Sequence, residues 1–418
     1  MPDAAADSLL EQGLRRLVWA QRAMPGLARI RDRFERTRPL ADRCVVAALH
    51  VTAETAVLMS VLRAGGAQLH LAAANPLSTQ DDIVAALSRQ DGISVHAKRG
   101  ADRTTYDEHL ERALLAGPDL VLDDGCDLIG RLHTTHRDLL PAVLGGCEQT
   151  TTGVLRLRAM AAEGELRFPV LAANDSPLQQ SFTNRHGTGQ STVDAVVRAT
   201  NVLLAGRTVV VAGFGNCGQG VADRARGLGA NVIVTETDPV RALAAAMDGY
   251  RVLPMQEAAA QGDVFVTVTG SRGVLAERHF SVMKDNAILA NSGHFDLEID
   301  VAWLRATSVD VRTAIRPHVD EYLLADGRRL LVLAEGRLVN LAAAEGHPPA
   351  VMDVSFAGQA LCIEWLARHA ERLEPGVYDV PTELDRGLAQ IQLAAMGVRI
   401  DSLDAEQEAY LTSWRTGD

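Results

Sequence analysis

Short apolar runs alternate with amphipathic segments along most of the chain. Residues 1–40 have apolar positions at helical spacing, and CVVAALHVT, which begins at Cys44, has the composition of a buried strand. AETAVLMSVLRAGGA then predicts a helix. The same order repeats with QLHLAAAN, DDIVAALSRQDG, PDLVLDDG, TTTGVLRLRAMAAEG and RFPVLAAND. Strand–helix alternation of this kind predicts an α/β fold with a doubly wound parallel sheet.

A second α/β unit begins near residue 190. It starts with the helical pattern STVDAVVRATNVLLAG and continues through RTVVVAGFGNCGQGVADRARGLGANVIVTETDP, DVFVTVTG and NAILANSG. From about residue 350 the pattern becomes helical again, in MDVSFAGQALCIEWLARHAERL and TELDRGLAQIQLAAMG.

Polar residues follow four of the predicted strands in the first unit. In open α/β sheets, ligands bind outside the carboxyl ends of the strands. Each polar residue could instead belong to a turn or cap a helix, but four such strand ends favour a shared cleft. The residues are His50, Thr52, Asn75, Asp123, Asp124, Asn174 and Asp175.

The strand TVVVA leads into a dinucleotide-binding fingerprint. Gly213, Gly215 and Gly218 form G-x-G-x-x-G, which opens a helix inside a β–α–β unit. The glycines allow the turn and the close approach of a pyrophosphate, which the helix N-terminus then binds. Glu236 ends the next strand, where a carboxylate can hold a ribose 2′-hydroxyl, so the motif favours NAD over NADP. Arg241 argues the other way, since a nearby arginine can accommodate a 2′-phosphate.

Composition narrows the classes of partner. The formal net charge is −12 and the pI is about 5.5, which argues against nucleic acid and against anionic membranes. No apolar run approaches the roughly 18 residues that span a bilayer, and MPDAAADSLLEQGL has no signal-peptide pattern. The five cysteines are widely spaced, which predicts neither disulfides nor a metal site and suits the cytoplasm.

Ordered segments of the chain resemble the S-adenosylhomocysteine hydrolase family. They include LHVTAETAVL, STQDD, LDDGCDL, TTTGV, NDS, AGFGNCGQG, TETDP, NSGHFDLEID, LAEGRLVNL and GHPPAVM, and they cover about residues 15–412. The resemblance implies a Rossmann-type NAD domain inserted in a split α/β substrate domain, tightly bound NAD, an adenine nucleoside substrate, and a homo-oligomer (dimer or tetramer). The expected ranges are 1–185 and 348–400 (mainly helical) for the substrate domain, 186–347 for the NAD domain, and 401–418 for a short tail.

The resemblance also implies roles for individual residues. His50 and Asp124 match acid–base residues near the 4′ and 5′ carbons, Glu54 matches the reader of the adenine amino group, and His294 with Phe295 matches a gate at the cleft mouth. The expected substrate contacts are Thr52, Glu54, Gln149, Gln179, Thr183, Glu345 and His347. The expected cofactor contacts are Thr150, Thr151, Thr152, Asn184, Gly213, Gly215, Asn216, Gly218, Glu236, Arg241, Thr269, Gly293 and Asn340.

The chain departs from the family pattern around its sugar-binding residues. Gln179 stands where the family has a lysine, Thr183 where it has an aspartate, and Gln149 where it has a glutamate. Glu345 stands in place of a methionine, and the family ending K-P-x-x-Y-R-Y is replaced by SWRTGD. Amides and hydroxyls form hydrogen bonds but do not titrate near neutral pH. General acid–base catalysis is typically worth about 10²–10⁴-fold, so another group is needed.

A histidine is the natural substitute base, because its ordinary pKa is about 6.5. The chain has only two lysines, Lys98 and Lys284, and both lie far from the altered segment in sequence. His186, which stands where the family has a tyrosine, is the first candidate. The alternative is that His186 merely replaces the tyrosine in packing or faces solvent.

Three functions remain open at this stage. The first is an enzyme that oxidises the 3′ carbon of an adenine nucleoside, removes the 4′ proton and eliminates a 5′ group, as in the dehydration of psicofuranosyl adenine during nucleoside-antibiotic biosynthesis. C3′ epimerisation is a variant of it. The second is S-adenosylhomocysteine hydrolysis to adenosine and homocysteine. The third is a non-catalytic NAD-binding regulator.

Overall fold

The computed structural model describes residues 2–414, and two parallel-rich sheets organise that part of the chain. Every strand predicted from the sequence is present, and these predicted strands are short, largely buried runs of the kind that parallel sheets bury on both faces. The strands are β1 Cys44–Leu49, β2 Gln68–Ala73, β3 Ile93–His96, β4 Leu120–Asp123, β5 Gly145–Glu148, β6 Pro169–Ala172, β7 Thr208–Ala212, β8 Asn231–Thr235, β9 Arg251–Val252, β10 Val264–Thr267, β11 Ala287–Asn291, β12 Asp310–Arg316, β13 Val319–Leu323, β14 Arg329–Leu333 and β15 Gly376–Asp379.

Helices cover both faces of these sheets. The helices are α1 Pro2–Arg22, α2 Pro25–Thr37, α3 Ala53–Ala64, α4 Asp81–Leu87, α5 Arg103–Leu114, α6 Asp127–Thr134, α7 Thr151–Ala162, α8 Thr188–Thr200, α9 Asn216–Gly227, α10 Pro239–Met247, α11 Met255–Ala259, α12 Glu277–Phe280, α13 Val301–Thr307, α14 Val339–Ala342, α15 Pro349–His369, α16 Thr382–Ala395 and α17 Ala405–Thr412.

The first sheet has the strand order β15-β6-β5-β4-β1-β2-β3, and all of its pairings are parallel. Residues 348–400 were predicted to be mainly helical, but β15 from this segment pairs with β6 at the edge of the first sheet. The segment therefore completes the sheet that begins at β1, while α15 packs against α2 and α3.

The second sheet has the order β12-β13-β14-β11-β10-β7-β8-β9. It is parallel from β14 to β9, and β12 and β13 add an antiparallel edge. The doubly wound α/β architecture and the Rossmann-type unit are therefore as predicted. The glycine-rich turn lies between β7 and α9, at the carboxyl end of a central strand.

Two helical segments differ from simple expectation. The segment Pro349–Arg372, which contains α15, is long and apolar enough to cross a bilayer, although no such run was expected from the sequence. Within its most apolar window 72% is buried inside the fold, as in the core helix of a globular protein. Gln179–Gly187 is a π-helix that precedes α8, and π-helical turns are often found at functional sites.

Candidate active site

A cavity of about 330 Å³ lies where the carboxyl ends of strands from both sheets meet. Strands β1 and β4 contribute His50 and Asp124, which follow them directly, and β11 contributes His294 through the turn after it. The loop between α14 and α15 supplies another wall. All of the expected substrate contacts line this cavity: Thr52, Glu54, Gln149, Gln179, Thr183, Glu345 and His347.

His50 is held in one tautomer by its neighbours. The Ser78 hydroxyl lies 2.9 Å from the Asn75 carbonyl oxygen, to which it donates its only proton. The Ser78 oxygen is also 2.6 Å from Nδ1 of His50, so it accepts a hydrogen bond from that nitrogen. Nε2 of His50 therefore carries the lone pair. This arrangement leaves a basic nitrogen facing Asp124.

His50, Asp124 and His294 form one compact cluster. Nε2 of His50 lies 3.7 Å from Oδ2 of Asp124. One ring nitrogen of each histidine and one carboxylate oxygen of Asp124 all lie within 4.8 Å of one another. Burial lowers the pKa of His50 to about 4 and raises the pKa of Asp124. Burial also lowers the pKa of His294, against the opposing effect of Asp124. Neutral imidazoles beside a carboxyl group are suited to moving protons.

Glu148 ties together two loops that border this cluster. Its buried carboxylate accepts hydrogen bonds from the backbone nitrogens of Gly125 and Cys126, both at 2.9 Å. It also accepts from the backbone nitrogen of Thr150 at 2.8 Å and from the Thr150 hydroxyl at 2.9 Å. The loop after β4 and the start of α7 are therefore fixed to one another by a single side chain.

The altered segment forms a wall of amides and hydroxyls. Gln179 and Thr183 are buried positions on the inner side of the π-helix, and both line the cavity. The Gln149 amide nitrogen donates to the Ser355 hydroxyl at 2.9 Å, but within residues 2–414 neither its amide oxygen nor the Thr183 hydroxyl has a partner. Buried polar atoms without partners are costly, so these two oxygens are available for hydrogen bonds with a ligand.

His186 does not reach the site. The side chain is exposed, its ring stacks edge-on against Phe182 with centroids 5.9 Å apart, and it is absent from the residues within 2–414 that line the cavity. The sequence-based assignment of His186 as the substitute base is therefore not supported by the geometry. The π-helix turns the buried side chains of positions 179 and 183 inward and leaves position 186 facing solvent.

One end of the cavity is suited to a flat base. Glu54 and Thr52 come from the start of α3, and Met352 and Phe356 come from α15, which packs on α3. Burial raises the pKa of Glu54, against a lowering hydrogen bond from Thr52. His347 also lines the cavity, where burial lowers its pKa to about 4, and its Nε2 lies 3.3 Å from the Thr188 hydroxyl.

Glu345 lines the cavity but already has a partner. Its Oε2 lies 3.1 Å from Nη2 of Arg16, on α1, and its side chain is 67% exposed. Arg16 was not predicted from the sequence, because nothing in the pattern of α1 indicates a contact with residue 345.

The glycine-rich turn has the geometry of a dinucleotide cradle. Gly213 has φ +103°, a conformation that favours glycine. A Cβ at Gly218 would lie 2.0 Å from the Gly213 carbonyl oxygen, whereas a Cβ at Gly215 would meet nothing nearer than Arg241 at 3.8 Å in the described chain. The first and third glycines are thus required by backbone conformation and packing, and the second leaves open space for a phosphate group.

Glu236 lies beside this turn, as the fingerprint requires. Its carboxylate accepts hydrogen bonds from the backbone nitrogens of Phe214 at 2.8 Å and Thr237 at 2.6 Å. Burial alone would raise its pKa, but these backbone hydrogen bonds, with a further one from Asp238, and Arg241 lower it, so Glu236 is ionised at neutral pH. Arg241 is exposed and follows at the start of α10, while the Asn216 amide nitrogen donates to Gln180 at 2.7 Å.

The remaining cofactor residues converge on the cavity from several strand ends. The Asn340 amide nitrogen donates to the Ser191 hydroxyl at 2.9 Å, but its buried amide oxygen has no partner in the part of the chain that the structure describes. This oxygen and the open space at Gly215 fit NAD, whose nicotinamide carries a carboxamide donor. Thr150, Thr151, Thr152, Asn184, Thr269, Gly293 and Asn340 all line the cavity.

Some predicted strand-end residues are structural. Asn75 caps the following turn by accepting from the Leu77 nitrogen at 2.9 Å, Asp123 accepts from the Ile129 nitrogen at 2.9 Å, and Asp175 pairs with Arg158 at 2.9 Å. For Asn75 and Asp123 the turn or cap interpretation is correct, whereas Asp175 forms an ion pair. Thr150 does both, because its hydroxyl caps α7 through the Gly153 nitrogen at 2.9 Å while the residue lines the cavity.

The comparisons with known proteins agree with this site. The model of the S-adenosyl-L-homocysteine hydrolase NAD binding domain matches residues 184–346, and that of S-adenosyl-L-homocysteine hydrolase matches residues 5–140. The adenosylhomocysteinase of Aquifex aeolicus (strain VF5) is 56% identical over 410 residues, which cover 98% of each chain. The chain belongs to the S-adenosyl-L-homocysteine hydrolase family. Membership supports NAD as the cofactor, as the sequence predicted.

Other members of the family are similarly close. The adenosylhomocysteinase of Gloeothece citriformis is 53% identical, over 98% of this chain and 95% of its own. A protein of Methanosarcina acetivorans named S-inosyl-L-homocysteine hydrolase is 52% identical over 98% of both chains. Among solved structures, a dipicolinate synthase polypeptide from Bacillus halodurans superposes with a TM-score of 0.50 at 15% identity, covering 79% of this chain and 100% of that one. That likeness concerns the fold alone.

Proposed function

We propose that this family member uses tightly bound NAD in a redox-neutral reaction on an adenine nucleoside whose sugar differs from ribose, and that it eliminates a 5′ group without adding water back. The dehydration of psicofuranosyl adenine to its 4′,5′-type enol ether, in nucleoside-antibiotic biosynthesis, is a reaction of this class. The observation that carries the proposal is the wall formed by Gln149, Gln179 and Thr183, which offers hydrogen bonds where the family has titratable groups.

The proton transfers follow from the cluster beside this wall. When bound, NAD would supply a hydride acceptor for the 3′ carbon and a hydride donor that reduces the ketone again after elimination, and the 3′ ketone makes the neighbouring 4′ C–H acidic. The 3′ hydroxyl proton would pass to His347, which lines the cavity beside the π-helix and is neutral because burial lowers its pKa to about 4. His50, neutral because burial lowers its pKa to about 4, takes the 4′ proton through Nε2. Asp124, whose pKa burial raises, protonates the 5′ leaving group when it carries a proton. His294 completes the cluster, with a ring nitrogen within 4.8 Å of the other two groups.

Unpartnered polar atoms support a sugar with additional hydroxyl groups. The Gln149 amide oxygen accepts hydrogen bonds and the Thr183 hydroxyl can donate or accept, and neither has a partner among the described residues. Glu345 was also expected to bind an additional hydroxyl, but its carboxylate is paired with Arg16. We therefore place the additional hydroxyl against Gln149 and Thr183 instead of Glu345.

A second function fits the comparisons at least as well. Identity of 56% over 98% of the chain to a protein named adenosylhomocysteinase favours S-adenosylhomocysteine hydrolysis to adenosine and homocysteine. On that interpretation, the amide and hydroxyl wall binds ordinary ribose, and His50 and Asp124 serve the same carbons. The relative named S-inosyl-L-homocysteine hydrolase suggests that the base also varies within this family.

One incubation distinguishes the candidates. The purified protein, with its NAD content measured, is given S-adenosylhomocysteine, adenosine or psicofuranosyl adenine in deuterated water. An alkene product from the psicofuranosyl nucleoside, with little homocysteine from S-adenosylhomocysteine, supports the proposal. Rapid homocysteine release supports the second function. If the protein exchanges the 4′ proton of none of these compounds for deuterium, the result supports a non-catalytic NAD-binding regulator.

The assembly and domain division are also proposals. We propose a substrate domain of residues 1–185 and 348–400, an NAD domain of residues 186–347 and a tail of residues 401–418, in a cytoplasmic dimer or tetramer. Exposed apolar side chains in and beside the tail support self-association: Ile400, Leu403, Tyr410 and Leu411 are all more than half exposed. Light scattering on the full chain and on a chain shortened to residues 1–399 tests this, because loss of these side chains should dissociate the oligomer.

A further inference from the structure

Arg16, which pairs with the cavity residue Glu345, is anchored by a buried carboxylate. Nη1 of Arg16 lies 3.1 and 3.2 Å from the two carboxylate oxygens of Asp82, whose side chain is only 7% exposed. A buried carboxylate needs a cation, so Asp82 fixes the guanidinium in place. The other terminal nitrogen, Nη2, lies 3.1 Å from Oε2 of Glu345. Arg16 therefore connects α1 and α4 with the loop between α14 and α15.

The loop that Glu345 belongs to joins two ends of the cavity. Asn340 precedes it, and the Gly346 nitrogen donates to the Asn340 carbonyl at 2.9 Å. Gly346 has φ +80°, which holds the turn that leads to His347. Since all of these residues line the cavity, the position of Glu345 affects both the nicotinamide side and the base side.

Arg16 and Glu345 act on Glu54 with opposite sign. Burial has the largest effect and raises the pKa of Glu54, while its hydrogen bond with Thr52 lowers it. The guanidinium of Arg16 lowers this pKa further, and the carboxylate of Glu345 raises it. The geometry places both charges near Glu54, because α1, which carries Arg16, packs against α3, which carries Glu54, and because Glu345 lines the same cavity as Glu54. An ionised Glu54 accepts a hydrogen bond from an amino group, whereas a protonated Glu54 can donate one to a carbonyl group.

We propose that Arg16 and Glu345 form a specificity-determining pair, which sets how strongly the site prefers an amino group over a carbonyl group on the six-membered ring of the purine. The inference rests on the proposed function, because it assumes that Glu54 meets the base. Arg16 favours adenine and Glu345 opposes that preference. Arg16 is a positioning residue, because it acts through Glu54 and through the loop.

Equilibrium binding of adenosine and inosine to the NAD-loaded protein tests the pair. With Arg16→Met, the ratio of adenosine to inosine affinity should fall about fivefold, because Glu54 loses a neighbouring cation and keeps a neighbouring anion. With Glu345→Gln, the ratio should rise by about the same factor. Binding is measured by calorimetry from pH 5 to pH 8, where the acid limb of adenosine binding should move to higher pH in the first variant and to lower pH in the second.

Two further variants keep the test interpretable. Arg16→Met leaves Asp82 buried without this cation, so it is also combined with Asp82→Asn, and the double variant should show the same fall in the ratio. Arg15→Met is the matched control, since Arg15 lies on the same helix and pairs at the exposed surface with Glu11 at 3.4 Å. Its ratio should equal that of the unmodified protein.

The outcomes separate this inference from the proposed function. If the ratio of adenosine to inosine affinity falls in Arg16→Met and rises in Glu345→Gln, the pair determines base specificity as proposed. If both variants bind adenosine and inosine more weakly by the same factor, Arg16 and Glu345 only hold the loop in place. That result would overturn the inference but not the purine site. If the unmodified, NAD-loaded protein binds neither adenosine nor inosine, the proposed function and this inference both fail.

Discussion

Nδ1 of His50 lies 2.6 Å from the Ser78 hydroxyl oxygen, and this contact determines which nitrogen of the ring is basic. Because Ser78 donates to the Asn75 carbonyl, it can only accept from His50. The lone pair of Nε2 then faces Asp124 across 3.7 Å. A turn residue with no chemistry of its own thus prepares the base for proton transfer.

Removal of the Ser78 hydroxyl tests this relationship. In Ser78→Ala, the ring of His50 loses the acceptor that fixes its tautomer, so kcat should fall about tenfold or more while KM changes little. Turnover of the best substrate is measured across pH. Ser88→Ala is the control, because its hydroxyl donates to the Val84 carbonyl at the exposed end of α4. Equal kcat values for the two variants would contradict the proposed role.

Restoring ionisable groups in the altered wall should change the reaction. The double substitution Gln179→Lys with Thr183→Asp adds a lysine–carboxylate pair beside the sugar, so homocysteine release from S-adenosylhomocysteine should increase at least about tenfold. The assay quantifies free thiol over time. The single variants serve as controls, since an unpaired buried charge should be less active than the pair. If the unmodified protein already hydrolyses this substrate faster than the double variant, the second candidate function gains support.

Because the glycine-rich turn is closely packed, a side chain at its third glycine should prevent NAD binding. In Gly218→Ala, the new Cβ would lie 2.0 Å from the Gly213 carbonyl oxygen, so the turn must distort and the purified protein should carry little NAD. Gly227→Ala lies on the same helix with nothing in the described chain within 4 Å of the new Cβ, and it should retain full occupancy. NAD released by acid is measured per protein chain. If both variants carry a full complement of NAD, the pyrophosphate does not bind at this turn.

Buried histidines predict a loss of stability in acid. Burial lowers the pKa of both His50 and His347 to about 4, below the ordinary 6.5, so the unfolded chain binds more protons between these values. The stabilising contribution is therefore complete above about pH 6.5 and is lost as the pH falls towards 4, at roughly 1.4 kcal/mol per pH unit for each histidine. Calorimetric unfolding at about pH 4.5 to 7 measures the slope.

Two variants test whether His50 and His347 cause this dependence of the unfolding free energy on pH. In the double variant His50→Gln with His347→Gln, the free energy of unfolding should depend much less on pH. His318→Gln, at an exposed position, should leave the slope unchanged. A slope that survives in the double variant would mean that other groups, such as the buried carboxylates, dominate the acid response.

Much of the fold could be predicted from hydrophobic pattern, because its strands are continuous apolar runs between helices. The exceptions have physical reasons. β5 is the sequence Gly-Gly-Cys-Glu, which has no β-branched residue, and it forms a strand because it lies between β4 and β6. β15 is short and belongs to a mainly helical segment, so its pairing with β6 comes from tertiary contact.

The site was predictable where a motif or a family pattern defined it. The structure brings His50, Asp124 and His294 together, and the glycine-rich turn has the geometry that the fingerprint requires. His186 was chosen for its position in the altered segment, where the family has a tyrosine, but the π-helix leaves that position facing solvent. Four residues were missed because each acts through a long-range hydrogen bond that leaves no local signal in sequence: Ser78, Ser191, Ser355 and Arg16.

The five hydrogen bonds that Glu148 accepts within the described chain make two separate segments behave as one rigid piece. A small displacement of Asp124 on substrate entry would be transmitted through this carboxylate to the threonines at the start of α7. On the proposed function, the position of the groups that transfer protons at the sugar and the position of NAD would then change together, because one side chain holds both segments.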